Sequence, residues 1–214
     1  MAIQAWILIA CAALFTVGVI LVNNQNEFQI WYIGLKLGLL LLLPLVMLRR
    51  MSASLQPWRS VIARPPSLSP WRWFGPLFVV CVWLYISYGS PYGLPYVPTG
   101  FDPAALALAV LFGFLINSLL EEVFYRVWLQ TRLEQLLGRW PAIALTSVLW
   151  ASWHLAIQSI GQWNVDLATV LSNQGITGLF LGYLWAKYRN VWAIVIIHGV
   201  MNAPPQMLME IFGF

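Results

Sequence analysis

Charge is what this sequence has least of. Only 8% of its 214 residues are Asp, Glu, Lys or Arg, against roughly a quarter in a soluble domain. With 61% hydrophobic residues and a mean hydropathy of +0.77, the apolar surface exceeds what a single water-soluble core can hide, which excludes a soluble enzyme. Cysteine is nearly absent. Cys11 and Cys81 stand in separate apolar runs without a CxxC spacing, so neither a disulfide framework nor a thiolate metal site is indicated. No HExxH pair, internal repeat or long interdomain linker occurs. The first apolar run, 2–22, lacks a charged leader and a small-residue cleavage site, and further runs follow it, so it is expected to be a retained helix.

What is present is a series of apolar runs, each long enough for a helix to cross some 30 Å of hydrocarbon. They predict an all-α, polytopic transmembrane bundle of about seven spans, at 2–22, 30–48, 71–89, 104–130, 140–157, 167–186 and 191–212. An N-terminal part, 1–102, holds three spans and a Pro- and Arg-rich loop, 49–70; a C-terminal part, 103–214, holds four. With the N-terminus in the cytoplasm, Arg49, Arg50, Arg59, Arg64, Arg72, Arg132, Arg139, Lys187 and Arg189 fall on inner connections, nine of the eleven bases. The outer connections carry Glu27, Asp102 and Asp166 and no base, so the positive-inside rule fixes the orientation. The net charge of +4 then reads as topology and contact with anionic lipid, not as a nucleic-acid footprint.

Two bases remain, Lys36 and Arg126, and they share the apolar spans with Glu121, Glu122, His154, His198 and Asn202. An ionisable group at the centre of a span costs about 2.5–3.5 kcal/mol even on lenient scales, so a cluster of them calls for a function. Lys36 stands alone in its span and has a long stem, and is read as a snorkelling structural residue. Glu122 and Arg126 are i and i+4, the spacing at which carboxylate and guanidinium meet. Glu121 projects about 100° away, with Tyr125 one turn on, and has no such partner. It is left free to meet groups from other helices and to take and return a proton. Glu122→Gln or Arg126→Ala is therefore expected to lower folded yield more than Glu121→Gln, since only the former leave a buried charge unpaired. In the fifth span Trp150 precedes His154 by one turn, and in the seventh His198 and Asn202 share a face, with Gly199 leaving room for a peptide backbone to come near.

The ordered motifs Glu121-Glu122-Val-Phe-Tyr125-Arg126, Trp150-Ala-Ser-Trp-His154 and His198-Gly-Val-Met-Asn202, each in its own helix, resemble those of the CPBP (Abi) family. That family comprises CAAX prenyl endoproteases and bacteriocin-processing intramembrane proteases. The resemblance covers roughly 103–205, and departs from the family at Trp150, where Phe is usual. It implies peptide hydrolysis without a covalent intermediate. Glu121 would be the general base on a water that His154 holds and polarises, His198 and Asn202 would donate to the oxyanion, and Glu122 and Arg126 would hold the helices in register. It further implies a membrane-associated peptide or protein substrate, such as a leader, sorting tail or CAAX-like C-terminus, no cofactor and no metal, and a place in a bacterial inner membrane.

Competing readings remain open on the residues alone. Two His and one Glu could ligate a catalytic zinc, although they would have to converge from three helices. Intramembrane Glu, Arg and His also line transporter paths, but Gly/Pro-broken spans in two matching halves are missing. A non-catalytic membrane chaperone or immunity protein would keep the fold without the chemistry. Counting along the spans sets Glu121 and His198 toward the inner side and His154 further out, so either the span ends are displaced or the helices are offset.

Overall fold

A computed structural model describes residues 1–23, 27–51, 70–86, 100–202 and 205–213. Most of the basic loop (52–69), the side chain of Arg72, and the Pro- and Tyr-rich stretch 87–99 lie outside the described residues. Among those described, every regular element is helical. Helix α1 is Ala2–Val22, α2 is Phe28–Arg50, α3 is Pro70–Leu84 and α4 is Pro103–Leu137. After these come α5, Arg139–Ser152, and α6, His154–Gln158. Helix α7 spans 163–188, α8 is Val191–Asn202 and α9 is Pro205–Phe212.

Three of them, α1, α2 and α4, are long and apolar enough to cross a membrane. They also expose large apolar side chains, including Trp6, Leu21, Trp31, Leu108 and Leu111, which a water-soluble protein does not display in such number. The chain is a helical membrane bundle. Helix α4 is longer than the sequence suggests: its 35 residues rise roughly 50 Å, well beyond the hydrocarbon thickness. Its start is set by Asp102, whose Oδ2 accepts from the N–H groups of Ala104 and Ala105 at 3.0 and 3.2 Å, with Pro103 at the first helical position. Its end is set by Gly138 at φ +83°, a backbone angle that glycine adopts without penalty.

Other boundaries move as well. The fifth run is interrupted at Trp153, so His154 opens a separate short helix. The turn expected at 158–166 is shorter, because α7 begins at Trp163 and takes Asp166 into its first turn. Asp166 accepts from the Ile160 N–H at 2.9 Å and the Ser159 hydroxyl at 2.6 Å, and these two bonds hold its carboxyl below the usual range. Within the seventh run the described residues form two helices, α8 and α9. At one end of the bundle Arg132 donates to the Gln4 side chain at 3.0 Å and Arg189 pairs with Glu134. At the other end Asn23 donates to the Ala156 carbonyl at 2.6 Å. Helix α1 is thus tied to the C-terminal helices at both ends.

Candidate active site

Midway along α4 the regular helix gives way twice. Phe114–Leu119 and Val123–Gln130 are π-helical, and the single α turn between them, Leu120–Glu122, carries both glutamates. Such widened turns recur at functional sites because they re-aim side chains. Here both carboxylates are buried, Glu121 at 1% exposure and Glu122 at 0%, and each is bound from a different direction.

Glu121 is held on both oxygens. Its Oε1 pairs with the ammonium of Lys36 from α2, and its Oε2 accepts from the indole Nε1 of Trp150 at 2.5 Å. This corrects two expectations. Lys36 does not snorkel: it is fully buried, donates also to Asn117 Oδ1 at 2.7 Å, and lies 4.5 Å from the ring centre of Tyr32 and 4.8 Å from that of Trp153. Nor is Glu121 unpartnered. Glu121→Gln would therefore also strand a buried charge, that of Lys36, which removes the ground for expecting it to fold better than Glu122→Gln.

Glu122 faces the other way. Its Oε1 lies 2.8 Å from His198 Nδ1, and its Oε2 lies 3.3 Å from Arg126 Nε. The i, i+4 ion pair is present, with the guanidinium also 5.5 Å from the Trp150 ring centre, and His198 joins it from α8. A carboxylate only accepts, so the His198 proton on this contact sits on Nδ1 and Nε2 faces away. Asn190 starts α8, accepting from the Ala193 N–H at 3.1 Å, and so places His198 two turns in.

His154 has a matching arrangement. Its Nδ1 lies 3.1 Å from the Trp150 carbonyl, which again assigns the proton to Nδ1 and leaves Nε2 as an acceptor when the ring is neutral. Its ring stacks on Trp153 at 3.7 Å and meets the edge of Trp150 at 5.0 Å; the His198 ring meets Trp150 at 5.4 Å and 88°. Trp150 therefore touches Glu121, His154 and His198, from α4, α6 and α8. Phe15 and Tyr32, from α1 and α2, pack on Trp153 at 5.5 and 5.7 Å and close the apolar wall.

Tyr125 is fully buried, its hydroxyl without a hydrogen-bond partner among the described residues. Asn202 lies apart from the buried cluster. It is exposed, on the wall of a cavity of about 280 Å³ lined also by Phe114, Asn117, Ser118, Gly199 and Met207. Gly199 serves packing here: a methyl at that position would lie 2.5 Å from Cδ2 of Phe114, so its bareness admits the Phe114 ring, not a substrate backbone. The cavity is apolar except near Asn117, Ser118 and Asn202, and the buried Ser118 hydroxyl has no hydrogen-bond partner. Sequence reasoning missed Lys36, Asn117 and Ser118. One signal for Lys36 existed: pairing Glu122 with Arg126 leaves Glu121 without a partner on its own helix and Lys36 as the one other base inside the spans. Among the described residues, no three His, Cys, Asp or Glu side chains are arranged to hold a metal.

A carboxylate and two imidazoles are thus enclosed by aromatic rings within an apolar helical bundle, the architecture of an integral-membrane protein. Residues 103–204 match the family model described as Type II CAAX prenyl endopeptidase Rce1-like. That segment carries Glu121, Glu122, Arg126, Trp150, His154, His198 and Asn202, whereas Lys36 lies outside it. No curated protein and no solved structure matches the chain.

Proposed function

We propose that the protein is an intramembrane endopeptidase of glutamate type, oriented with its N-terminus in the cytoplasm of a bacterial inner membrane. It cuts a membrane-associated peptide or protein at a leader, sorting tail or CAAX-like C-terminus. The observation that carries this reading is the convergence of Glu121, His154 and His198 on Trp150. A carboxylate has about four acceptor positions; Lys36 and Trp150 use two of those of Glu121, and two remain for a water.

In the reaction Glu121 takes a proton from this water as its oxygen adds to the scissile carbonyl carbon. The Nε2 of His154 accepts the second O–H and holds the nucleophile in line. The carbonyl oxygen becomes an oxyanion, to which His198 Nε2 can donate only as an imidazolium, with Glu122 supplying the counter-charge. Asn202, which lies apart from this cluster on the cavity wall, is instead available to hydrogen-bond the substrate backbone there. Glu121 then passes its proton to the departing amine as the C–N bond breaks. The dry surroundings strengthen each of these electrostatic interactions. The apolar cavity beside Asn117 and Ser118 suits an extended chain with apolar side chains approaching from the bilayer.

The test uses the purified full chain in proteoliposomes with a library of lipid-anchored fluorogenic peptides. Wild type is expected to cleave members of the library in the presence of a chelator, and Glu121→Gln to cleave them at least about 10²-fold more slowly. Cleavage by Glu121→Gln at the wild-type rate refutes the role of Glu121. Loss of wild-type cleavage on chelation points to a metallopeptidase instead.

A further inference from the structure

We infer that Lys36 and Trp150 act together as a two-point clamp that fixes the Glu121 carboxylate for catalysis, Lys36 reaching it from outside the matched protease segment. The inference rests on the proposed role of Glu121 as base. A glutamate's terminal torsion is broad and only weakly restrained by its own chain, whereas proton transfer to an attacking water needs its acceptor lone pair held in place. In this site the two oxygens are bound separately, Oε1 by the Lys36 ammonium and Oε2 by the Trp150 indole N–H, which removes that freedom.

Both halves of the clamp are themselves held. Lys36 is fixed by Asn117 Oδ1 at 2.7 Å and by the faces of Tyr32 and Trp153, contacts that suit a desolvated ammonium. Trp150, 3% exposed, is bracketed by the two histidine rings and by Arg126. A Phe at position 150 would preserve the ring contacts and supply no donor, so the indole N–H is an addition to the aromatic role. The clamp has a topological consequence: α2 is part of the active site, and residues 103–204 alone are catalytically incomplete.

Five variants of the full chain in proteoliposomes, Glu121→Gln among them, test this with the same peptide library, rates being normalised to the monodisperse fraction. Trp150→Phe removes one hydrogen bond and strands no charge; it is expected to lower kcat about tenfold or more, with KM within about twofold, because orientation and not substrate binding is lost. Lys36→Met is expected to lower kcat by about 10²-fold, and Lys36→Arg, which keeps the charge and donors, to recover part of it. Independently of activity, the Lys36→Met/Glu121→Gln double variant should melt at a higher temperature than either single variant, since it leaves no buried charge unpaired. The clamp is overturned if Trp150→Phe keeps kcat within twofold of wild type, or if the melting effects of the Lys36 and Glu121 substitutions simply add. Activity in Glu121→Gln would instead sink the proposed function. Loss of activity there, with unchanged kcat in Trp150→Phe and Lys36→Met, would sink the clamp alone.

Discussion

Adjacent glutamates on one helix have been given opposite surroundings. Glu121 is met by a lysine from α2 and an indole from α5, and has acceptor positions to spare. Glu122 is met by a guanidinium from its own helix and an imidazole from α8. The difference teaches that local sequence does not decide a buried carboxylate's role; the helices that reach it do. The short α turn between two π-helical stretches aims the pair in divergent directions, and one side becomes the proposed reacting centre while the other ties α4 to α8.

The sharpest way to break this contrast is to remove the permanent counter-charge on the Glu122 side. Arg126→Met leaves a carboxylate at 0% exposure with only a titratable histidine beside it, and is expected to cost about 3–5 kcal/mol of stability. Thermal unfolding in detergent measures it, and a wild-type melting temperature would show that the ion pair is dispensable. A smaller effect on the same side is expected from Gly199→Ala. Its new methyl would meet the Phe114 ring at 2.5 Å, so either that ring or α8 must give way, at a cost of about 1–3 kcal/mol. Because the contact lies on the cavity wall, a double variant with Phe114→Leu should recover both melting temperature and cleavage rate. Failure to recover either would remove Phe114 as the obstacle. The mildest is Asp102→Ala, which deletes the cap of α4 far from both glutamates and should lower stability by about 1 kcal/mol. It should leave kcat unchanged per folded molecule. A large fall in kcat would mean that the site depends on the start of the helix as well as on its middle.

How much of this could be read from the residues differs from place to place. The membrane bundle follows from the charge deficit and the run lengths. The Glu122–Arg126 pair follows from helical spacing. Lys36 was misread because periodicity describes one helix at a time: nothing in the spacing of α2 says which side chain of α4 it will meet. The break at Trp153 escaped for a similar reason, since no proline or glycine marks it and the backbone there departs only slightly from helical angles. Gly199 was read as space for a substrate because a bare Cα says that something comes close, without saying that it is Phe114. Asn202 shares a helical face with His198 as its spacing requires, yet one is buried and the other lines the cavity, a distinction set by where α8 emerges from the bundle.

Direct attack of an activated water is best tested by single-turnover cleavage of a lipid-anchored peptide in ¹⁸O-labelled water, with enzyme in excess. The label should enter only the new carboxylate of the released peptide, leaving the protein fragment that contains Glu121 at its unlabelled mass. Appearance of ¹⁸O in that fragment would reveal an acyl-glutamate intermediate and contradict the water-activation account.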